Sequence, residues 1–165
     1  MKNTQRLVYT ALCAGLITIM TAYICHIPVG VHGGYVHFGD AIIYIAASIL
    51  PTQYAVFAAG IGGGLADLFT APIWMPATII IKVLIALPFT SKKDKILCKH
   101  NMVAVIIGSV ITIVGYALAE AILFGNYLIS VVGILPNIIQ AVGSGIFYMF
   151  IGAAIDKSGH RLKRI

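Results

Sequence analysis

The sequence has few charged residues. Only 10% of its 165 residues are charged, five are acidic, and there is a single tryptophan. Soluble globular domains carry about 25% charged residues, so this scarcity excludes an ordinary soluble fold. The mean hydropathy of +1.00 and the 60% hydrophobic content predict instead an all-α membrane protein, with one membrane domain over residues 1–165.

The sequence also lacks the motifs of common catalytic and metal sites. Its three cysteines, Cys13, Cys25 and Cys98, form no C-x-x-C pair, and neither H-E-x-x-H nor G-x-S-x-G occurs. The run GIGGG at 60–64 is not followed by Lys and Ser or Thr, so it predicts close helix packing rather than a phosphate loop. We therefore predict a non-catalytic protein with no metal and no cofactor.

Six apolar segments predict a bundle of six transmembrane helices. Hydrophobic runs and helix breakers place them at 7–25, 40–50, 53–69, 76–89, 102–124 and 133–155. The second has about 11 residues and, at about 1.5 Å per residue, cannot cross a hydrocarbon core about 30 Å thick. Its end is therefore expected to be sheltered by protein or to face a water-filled cavity. Pro136 is expected near the start of the sixth helix.

Basic residues are distributed unevenly between the predicted loops. They occur at the N-terminus, at 92–99 and at the C-terminus, whereas 30–39, 70–75 and 125–132 contain neither Lys nor Arg. With six helices the three basic regions lie on one side. Because basic loops are retained in the cytoplasm, both termini are predicted to be cytoplasmic.

Four ionisable residues fall inside the predicted helices: Asp40, Asp67, Lys82 and Glu120. A charge at the membrane centre costs about 2.5–3.5 kcal/mol on insertion scales, so such residues usually face a cavity or each other. Counted from the predicted helix ends, all four lie in the outer half of the bundle. They therefore predict one polar chamber that opens to the outside.

Further polar and aromatic residues are predicted to line the same chamber. They come from the outer loops and the outer ends of the helices: His37, Trp74, Tyr116, Asn126, Asn137 and Gln140. Apolar walls with a few convergent polar groups are typical of a small-molecule pocket.

Structural roles are the alternative for several of these residues. Asp40 is also suited to cap the second helix or to be an acid in its first turn, roles that are compatible with a place in the pocket, and Trp74 is suited to lie at the membrane interface. Lys82 has two candidate partners for an ion pair. A pair between Lys82 and Asp67 would leave Glu120 as the stronger ligand candidate. A pair between Lys82 and Glu120 remains open.

Three blocks of the sequence resemble a known family. GGYVHFGDAIIYIAASILP at 33–51, GIGGGLADLF at 60–69 and APIWMPATIIIK at 71–82 are similar to the S components of energy-coupling factor (ECF) transporters. The resemblance covers nearly the whole chain and lies closest to the branch that takes riboflavin, pyridoxine, hydroxymethylpyrimidine or queuosine precursors. It implies a six-helix receptor in the bacterial cell membrane, with an outer pocket gated by the loop between helices 1 and 2.

The same resemblance implies partners. A membrane-embedded coupling subunit of the EcfT type and two cytoplasmic ATPases of the EcfA type would drive inward release of the ligand. In the family an A-x-x-x-A stripe on helix 1 contacts the coupling subunit. Here the corresponding small residues are Ala11, Ala14 and Gly15, with Gly in place of the second Ala.

The predicted pocket favours a flat, nitrogen-containing ring as the ligand. Three carboxylates against one lysine suit a cation or an N–H donor, and Trp74 is suited to stack on the ring. Among the ligands of the family, a queuosine precursor such as queuine fits best, pyridoxine-type vitamers second and riboflavin third.

Two other functions remain open on the sequence. A self-sufficient proton-coupled carrier would use Asp67, Lys82 and Glu120 as a relay. A non-transporting structural membrane subunit would bind no ligand.

Overall fold

A computed structural model describes residues 3–24, 26–28, 35–125 and 127–158, with the backbone alone for 35 and 127–132. Helices dominate these residues, together with one short hairpin and a 3₁₀ turn at Pro72–Trp74. The helices are α1 (Asn3–Ala22), α2 (Gly39–Ile49), α3 (Thr52–Thr70), α4 (Met75–Ala86), α5 (Lys99–Phe124) and α6 (Tyr127–Lys157). The strands β1 (Ile27–Pro28) and β2 (Tyr35–Val36) pair antiparallel, with Ile27 opposite Val36.

The predicted helices are confirmed, but the last one begins earlier than expected. Residues 125–132 were predicted to form an outer loop, whereas α6 already begins at Tyr127. Helix α5 ends at Phe124, and Gly125, which caps it, has a φ of 64°, in the left-handed region favoured by glycine. Pro136 is consequently inside α6 and not at its start. Membrane helices tolerate an internal proline because neighbouring groups satisfy the freed backbone carbonyl.

By length and hydropathy, three helices in the described part of the chain are long and apolar enough to cross a membrane. They are Asn3–Ala22, Lys99–Phe124 and the portion Gly133–Lys157 of α6. Two further apolar helices, Gly39–Ile49 and Pro72–Ala86, are shorter than a membrane crossing requires. Six crossings and cytoplasmic termini therefore stay predictions.

The short helix α2 lies at the centre of the bundle, where most of its residues are buried. It runs in the same direction as α6, because Asp40 contacts Gln140 and, two turns further along, Ser48 contacts Tyr148. Its second residue already reaches Lys82 in the middle of α4. The helix is thus short because it begins deep in the bundle, with other helices around its end.

Glycines on α3 allow two other helices to approach it closely. A Cβ atom at Gly62 would lie 2.8 Å from the backbone oxygen of Ala14 on α1, and one at Gly64 would lie 2.8 Å from Ile79 on α4. The Thr18 hydroxyl donates a 3.0 Å hydrogen bond to the Gly62 carbonyl across the same contact. The predicted packing role of GIGGG is confirmed, since bulkier residues would separate the helices.

Asn101 and Asp156 form a polar cluster at the end of the bundle where α2 ends and α5 begins. The side chain of Asn101, which is fully buried, bonds to Ser48, to the backbone of Thr90 and to the carbonyl of Ile96. The Asp156 carboxylate accepts hydrogen bonds from the backbone N–H groups of Ile96 and Leu97, at 2.9 and 3.0 Å. These bonds fix the lysine-rich segment 92–99 against α6.

The difference between Gly62 and Gly15 tests this packing. Gly62→Ala should lower the free energy of unfolding by about 1–3 kcal/mol, because the new methyl group meets backbone on α1. Gly15→Ala is the matched control, since a Cβ there has nothing within 4 Å. The control should be neutral or slightly stabilising. Thermal unfolding in detergent measures both, and equal midpoints for the two variants would contradict the assigned contact.

Candidate functional site

The centre of the candidate site is an ion pair between α2 and α4. The Lys82 ammonium lies 2.5 Å from Oδ1 of Asp40, and both side chains are completely buried. The Gln140 side chain on α6 donates a 3.2 Å hydrogen bond to the other carboxylate oxygen. Three helices therefore meet at one carboxylate, whose charge is compensated inside the bundle.

Local sequence explains how this pair forms. Gly63 on α3 leaves space for the Lys82 stem, because a Cβ at Gly63 would lie 2.7 Å from Cγ of that lysine. Asp40 is in the first turn of α2, where the helix dipole favours a negative charge. The N–H of Gly39, which opens the helix, donates a 2.9 Å hydrogen bond to Nδ1 of His37. Of the two structural roles predicted for Asp40, the first-turn acid is confirmed and the N-cap is not, because the N-cap residue is Phe38 and the Asp40 carboxylate turns to Lys82.

The rings of Trp74, Tyr116 and Phe124 form an aromatic wall, which lies one to two helical turns from Lys82 toward the start of α4. The Lys82 ammonium lies 5.1 Å from the centre of the Tyr116 ring, within cation–π range. The Tyr116 hydroxyl forms a 3.0 Å hydrogen bond with Thr78. Trp74, largely buried, packs its ring 6.2 Å from that of Tyr116 and 5.7 Å from that of Phe124, measured between centroids. The Trp74 ring is inclined by 60° to that of Tyr116 and by 54° to that of Phe124, so the three rings form a largely apolar wall of tilted faces, with hydroxyl groups at one edge.

Two further acids are close to this wall. Asp67, at the end of α3, is buried and lies within electrostatic range of Tyr116. Glu120 on α5 is half-buried, with its carboxylate directly against Gly133 of α6. Any side chain at position 133 would displace that carboxylate, so the glycine allows Glu120 to lie between the two helices.

His37 belongs to the connection before α2 and lies outside the helices. Burial, and next the positive charge of Lys82, lower its pKa to about 3. The ring is therefore neutral at pH 7. Since Nδ1 accepts from Gly39, the ring proton is on Nε2.

The structure brings most of the predicted site residues into one region. Contacts or electrostatic interactions connect His37, Asp40, Asp67, Trp74, Lys82, Tyr116 and Gln140. Asn137 is half-buried one turn before Gln140, and Asn126 lies outside the described residues. The partner found for Lys82 is Asp40, a pairing that the sequence analysis did not consider. Within the described part of the chain, no group of three His, Cys, Asp or Glu side chains is placed to hold a metal.

Two buried hydroxyls, those of Tyr44 and Thr112, were not among the residues predicted from the sequence. A signal was present, because Tyr44 follows Asp40 by one helical turn and precedes Ser48 by another. The i, i+4 spacing marks a polar stripe on a helix that is otherwise apolar.

The stripe of small residues on α1 is divided between two faces. Ala11 and Gly15 are exposed on the outside of the bundle. Ala14 is buried, and its backbone oxygen lies against Gly62. Ala14 is therefore a packing residue, and its expected place on a partner-facing surface is wrong because it points toward α3.

A family model and a solved structure that match this chain both carry the name of an ECF transporter S component. The family model for "ECF-type riboflavin transporter, S component" matches residues 1–157. A solved structure of the S component of a bacterial ECF transporter has a TM-score of 0.77 at 16% identity, covering 97% of this chain and 100% of that chain. An uncharacterized protein of Pyrococcus woesei is 28% identical over 110 residues, which are 64% of this chain and 72% of that protein. At such low identity the structural match shows a shared fold.

The buried ion pair predicts a strong dependence of stability on both partners. Lys82→Met should lower the free energy of unfolding by about 3–5 kcal/mol, because it leaves the Asp40 carboxylate buried without its cation. Combining it with Asp40→Asn should recover most of the loss, since neither charge is then buried. Thermal unfolding followed by the fluorescence of Trp74 measures the effect. A double variant as unstable as Lys82→Met alone would show that the pair does not carry the coupling.

Proposed function

Because the chain belongs to the family of ECF-type riboflavin transporter S components, we propose that it binds a planar nitrogen heterocycle at the outer end of its bundle and delivers it inward. Its family role is substrate binding in a membrane transporter and not catalysis. The arrangement that carries the proposal is the aromatic wall of Trp74, Tyr116 and Phe124, together with the buried carboxylate of Asp67 and the half-buried carboxylate of Glu120.

The charges in this region favour a ligand with N–H donors or a positive charge. Lys82 is engaged by Asp40, so its charge is already compensated. Asp67 and Glu120 then provide the acceptors near the rings, and a carboxylate binds a charged or N–H donor more strongly than a neutral acceptor. A flat ring with an amine at its edge would stack on the aromatic wall and reach an acid.

Queuosine precursors fit this description best, because queuine combines a flat heterocycle, an aminopyrimidine edge and an amine. Pyridoxine-type vitamers also have a flat nitrogen-containing ring, but they offer fewer N–H donors. Riboflavin is third by this chemistry, but a separate observation favours it, namely the name of the matching family. Its ring is larger and uncharged, so it would depend more on stacking.

The membrane arrangement belongs to the same proposal. We propose that the six helices of the bundle all lie in the bacterial cell membrane, with both termini and the lysine-rich segment 92–99 in the cytoplasm. α2 and α4 are too short to cross alone, and their ends would be sheltered by the longer helices. The aromatic wall would then face outward and the cluster around Asn101 inward.

The partners would be a coupling subunit in the membrane and two cytoplasmic ATPases. Ala11 and Gly15 are the proposed docking residues, because they are exposed on one face of α1 and Gly15 has open space beside it. Small residues let a partner helix approach closely in a membrane, where packing drives association.

Ligand binding can be tested with purified protein in detergent. Compounds carried through purification are identified by mass spectrometry, and queuine, pyridoxine and riboflavin are titrated by calorimetry. Queuine should bind most tightly.

Glu120→Gln and Asp67→Asn should each weaken queuine binding about 10–100-fold, by loss of a charge-assisted hydrogen bond. Asp94→Asn is the matched control on the exposed basic segment and should leave the dissociation constant unchanged. Tight riboflavin binding that is insensitive to both substitutions would replace queuine by riboflavin as the ligand. Binding of none of the three compounds would overturn the ligand class.

Docking can be tested separately from ligand binding. Ala11→Leu should prevent co-purification with the coupling subunit and abolish ATP-dependent uptake in vesicles, while the affinity for the ligand stays the same. Ala153→Leu places the same side chain on an exposed position of α6 and should leave the complex intact. Uptake by the isolated chain under a proton gradient, without ATPases, would contradict the proposed mechanism.

A further inference from the structure

Lysines are concentrated on the surface of the lysine-rich segment 92–99. Its exposed side chains are Lys92, Lys93, Asp94, Lys95 and Lys99. Four lysines against one aspartate leave this part of the surface with a net positive charge. Within the described residues none of these lysines forms an ion pair, so their charges are available to a partner outside the chain.

Hydrogen bonds hold the backbone of this segment in place. The Asp156 carboxylate on α6 accepts bonds from the N–H groups of Ile96 and Leu97, at 2.9 and 3.0 Å. The carbonyl of Ile96 accepts bonds from the Asn101 side chain and the Tyr148 hydroxyl, both at 3.0 Å. Ile96 is itself buried among the helices. The lysines before and after it therefore extend from a backbone that is fixed to the bundle.

Exposed apolar side chains border these lysines on the neighbouring helices. On α5, Val103 is exposed one helical turn after Lys99, a distance of about 6 Å along the axis. On α6, Phe150 is exposed two turns before Lys157, which is also exposed. At the end of α4, Leu87 is exposed before the lysines begin. An apolar belt with a basic rim is typical of the membrane boundary, where acyl chains meet headgroups.

We propose that the lysine surface, formed by Lys92, Lys93, Lys95 and Lys99, binds the phosphate groups of anionic phospholipids. An ammonium group binds phosphate as a point charge, and each basic residue near a membrane surface strengthens the attraction to anionic lipids. The apolar side chains beside the lysines suit acyl chains, which a soluble acidic protein lacks. A phospholipid therefore fits both parts of this surface.

Asp156 distinguishes a fixed lysine surface from simple attraction by charge. Asp156→Asn removes one negative charge, so attraction by charge alone would strengthen the binding of an anionic lipid. The new amide also brings an N–H group against the N–H groups of Ile96 and Leu97, which loosens the segment. A surface that depends on the fixed backbone would then bind more weakly, because ordering the lysines would cost entropy on binding.

Lipid binding is measured with the full chain, purified in a neutral detergent and titrated with phosphatidylglycerol or phosphatidylcholine, by native mass spectrometry. Phosphatidylglycerol should bind at least about 10-fold more tightly than phosphatidylcholine. The combined variant Lys92→Gln, Lys93→Gln, Lys95→Gln should lose most of this preference, since each lysine contributes about fivefold. Arginine at the same three positions keeps the charge and should retain the preference.

The contribution of the fixed backbone is tested by two variants with the same change of charge. Asp156→Asn should weaken phosphatidylglycerol binding by about 3–10-fold. Asp94→Asn is the matched control at an exposed position of the same segment, and it should leave binding unchanged or strengthen it. Asp156→Asn binding as tightly as the native chain, or more tightly, would overturn the fixed surface and leave attraction by charge alone.

Two competitors identify the occupant. Neither inorganic phosphate nor poly-glutamate, at the same concentration as the lipid, should displace phosphatidylglycerol, because neither has acyl chains. Displacement by phosphate or by poly-glutamate would overturn the lipid and assign the surface to a free anion or to an acidic protein. Equal affinity for the two lipids, a glutamine variant that keeps the preference, or an arginine variant that loses it would also overturn the proposal. All these measurements use protein without transport ligand, so the result is independent of which ligand the protein binds.

Discussion

The ion pair between Asp40 and Lys82 is the interaction on which the rest of the structure depends. Two unit charges in a low-dielectric interior are costly, and they are retained only where each compensates the other with good geometry. Here the partners come from α2 and α4, and Gln140 adds a third helix. To bring the carboxylate to the middle of α4, α2 must begin deep in the bundle. Its length of 11 residues is a consequence of that position.

The glycines of α3 are the second part of the same arrangement. Lys82 is long and fully buried, and its stem needs space that Gly63 leaves beside it. Gly62, on another face of α3, lets α1 come close, so one helix accommodates neighbours on two sides. In a membrane, lipid chains cover apolar side chains as well as a neighbouring helix does, so helices associate mainly through the dispersion energy of close packing. The glycines of α3 thus allow this close packing and also leave the space in which the charged Lys82 side chain is buried.

The sequence predicted the helices well because their signals are local. Long apolar runs, Pro51 and the basic segments each act within a few residues, and the helix bounds agree within a few positions except at α6. The prediction for Pro136 was wrong, because the preference of proline for the first turn of a helix does not apply where neighbouring helices satisfy the freed carbonyl.

The set of site residues followed from the cost of polar groups in a membrane. The partner of Lys82 did not, because pairing depends on helix register and depth, which periodicity alone does not fix. Ala14 and Ala11 differ for the same reason, since the rotation of about 60° between residues three apart on a helix is enough to separate an exposed position from a buried one.

Compensation of Lys82 by Asp40 also changes the electrostatics of the candidate site. Counted along the sequence, one lysine opposes three acids, and any of them is available to a ligand. In the folded bundle the lysine pairs with Asp40, and the other acids near the aromatic wall, Asp67 and Glu120, make interactions of their own. A ligand with donors would replace interactions with carboxylates that are already partly desolvated, whereas an anionic ligand would meet a region without an uncompensated cation among the described residues. The ion pair thus gives the bundle its shape and leaves the site with acceptor character, which links the depth of α2 to the chemistry of the ligand.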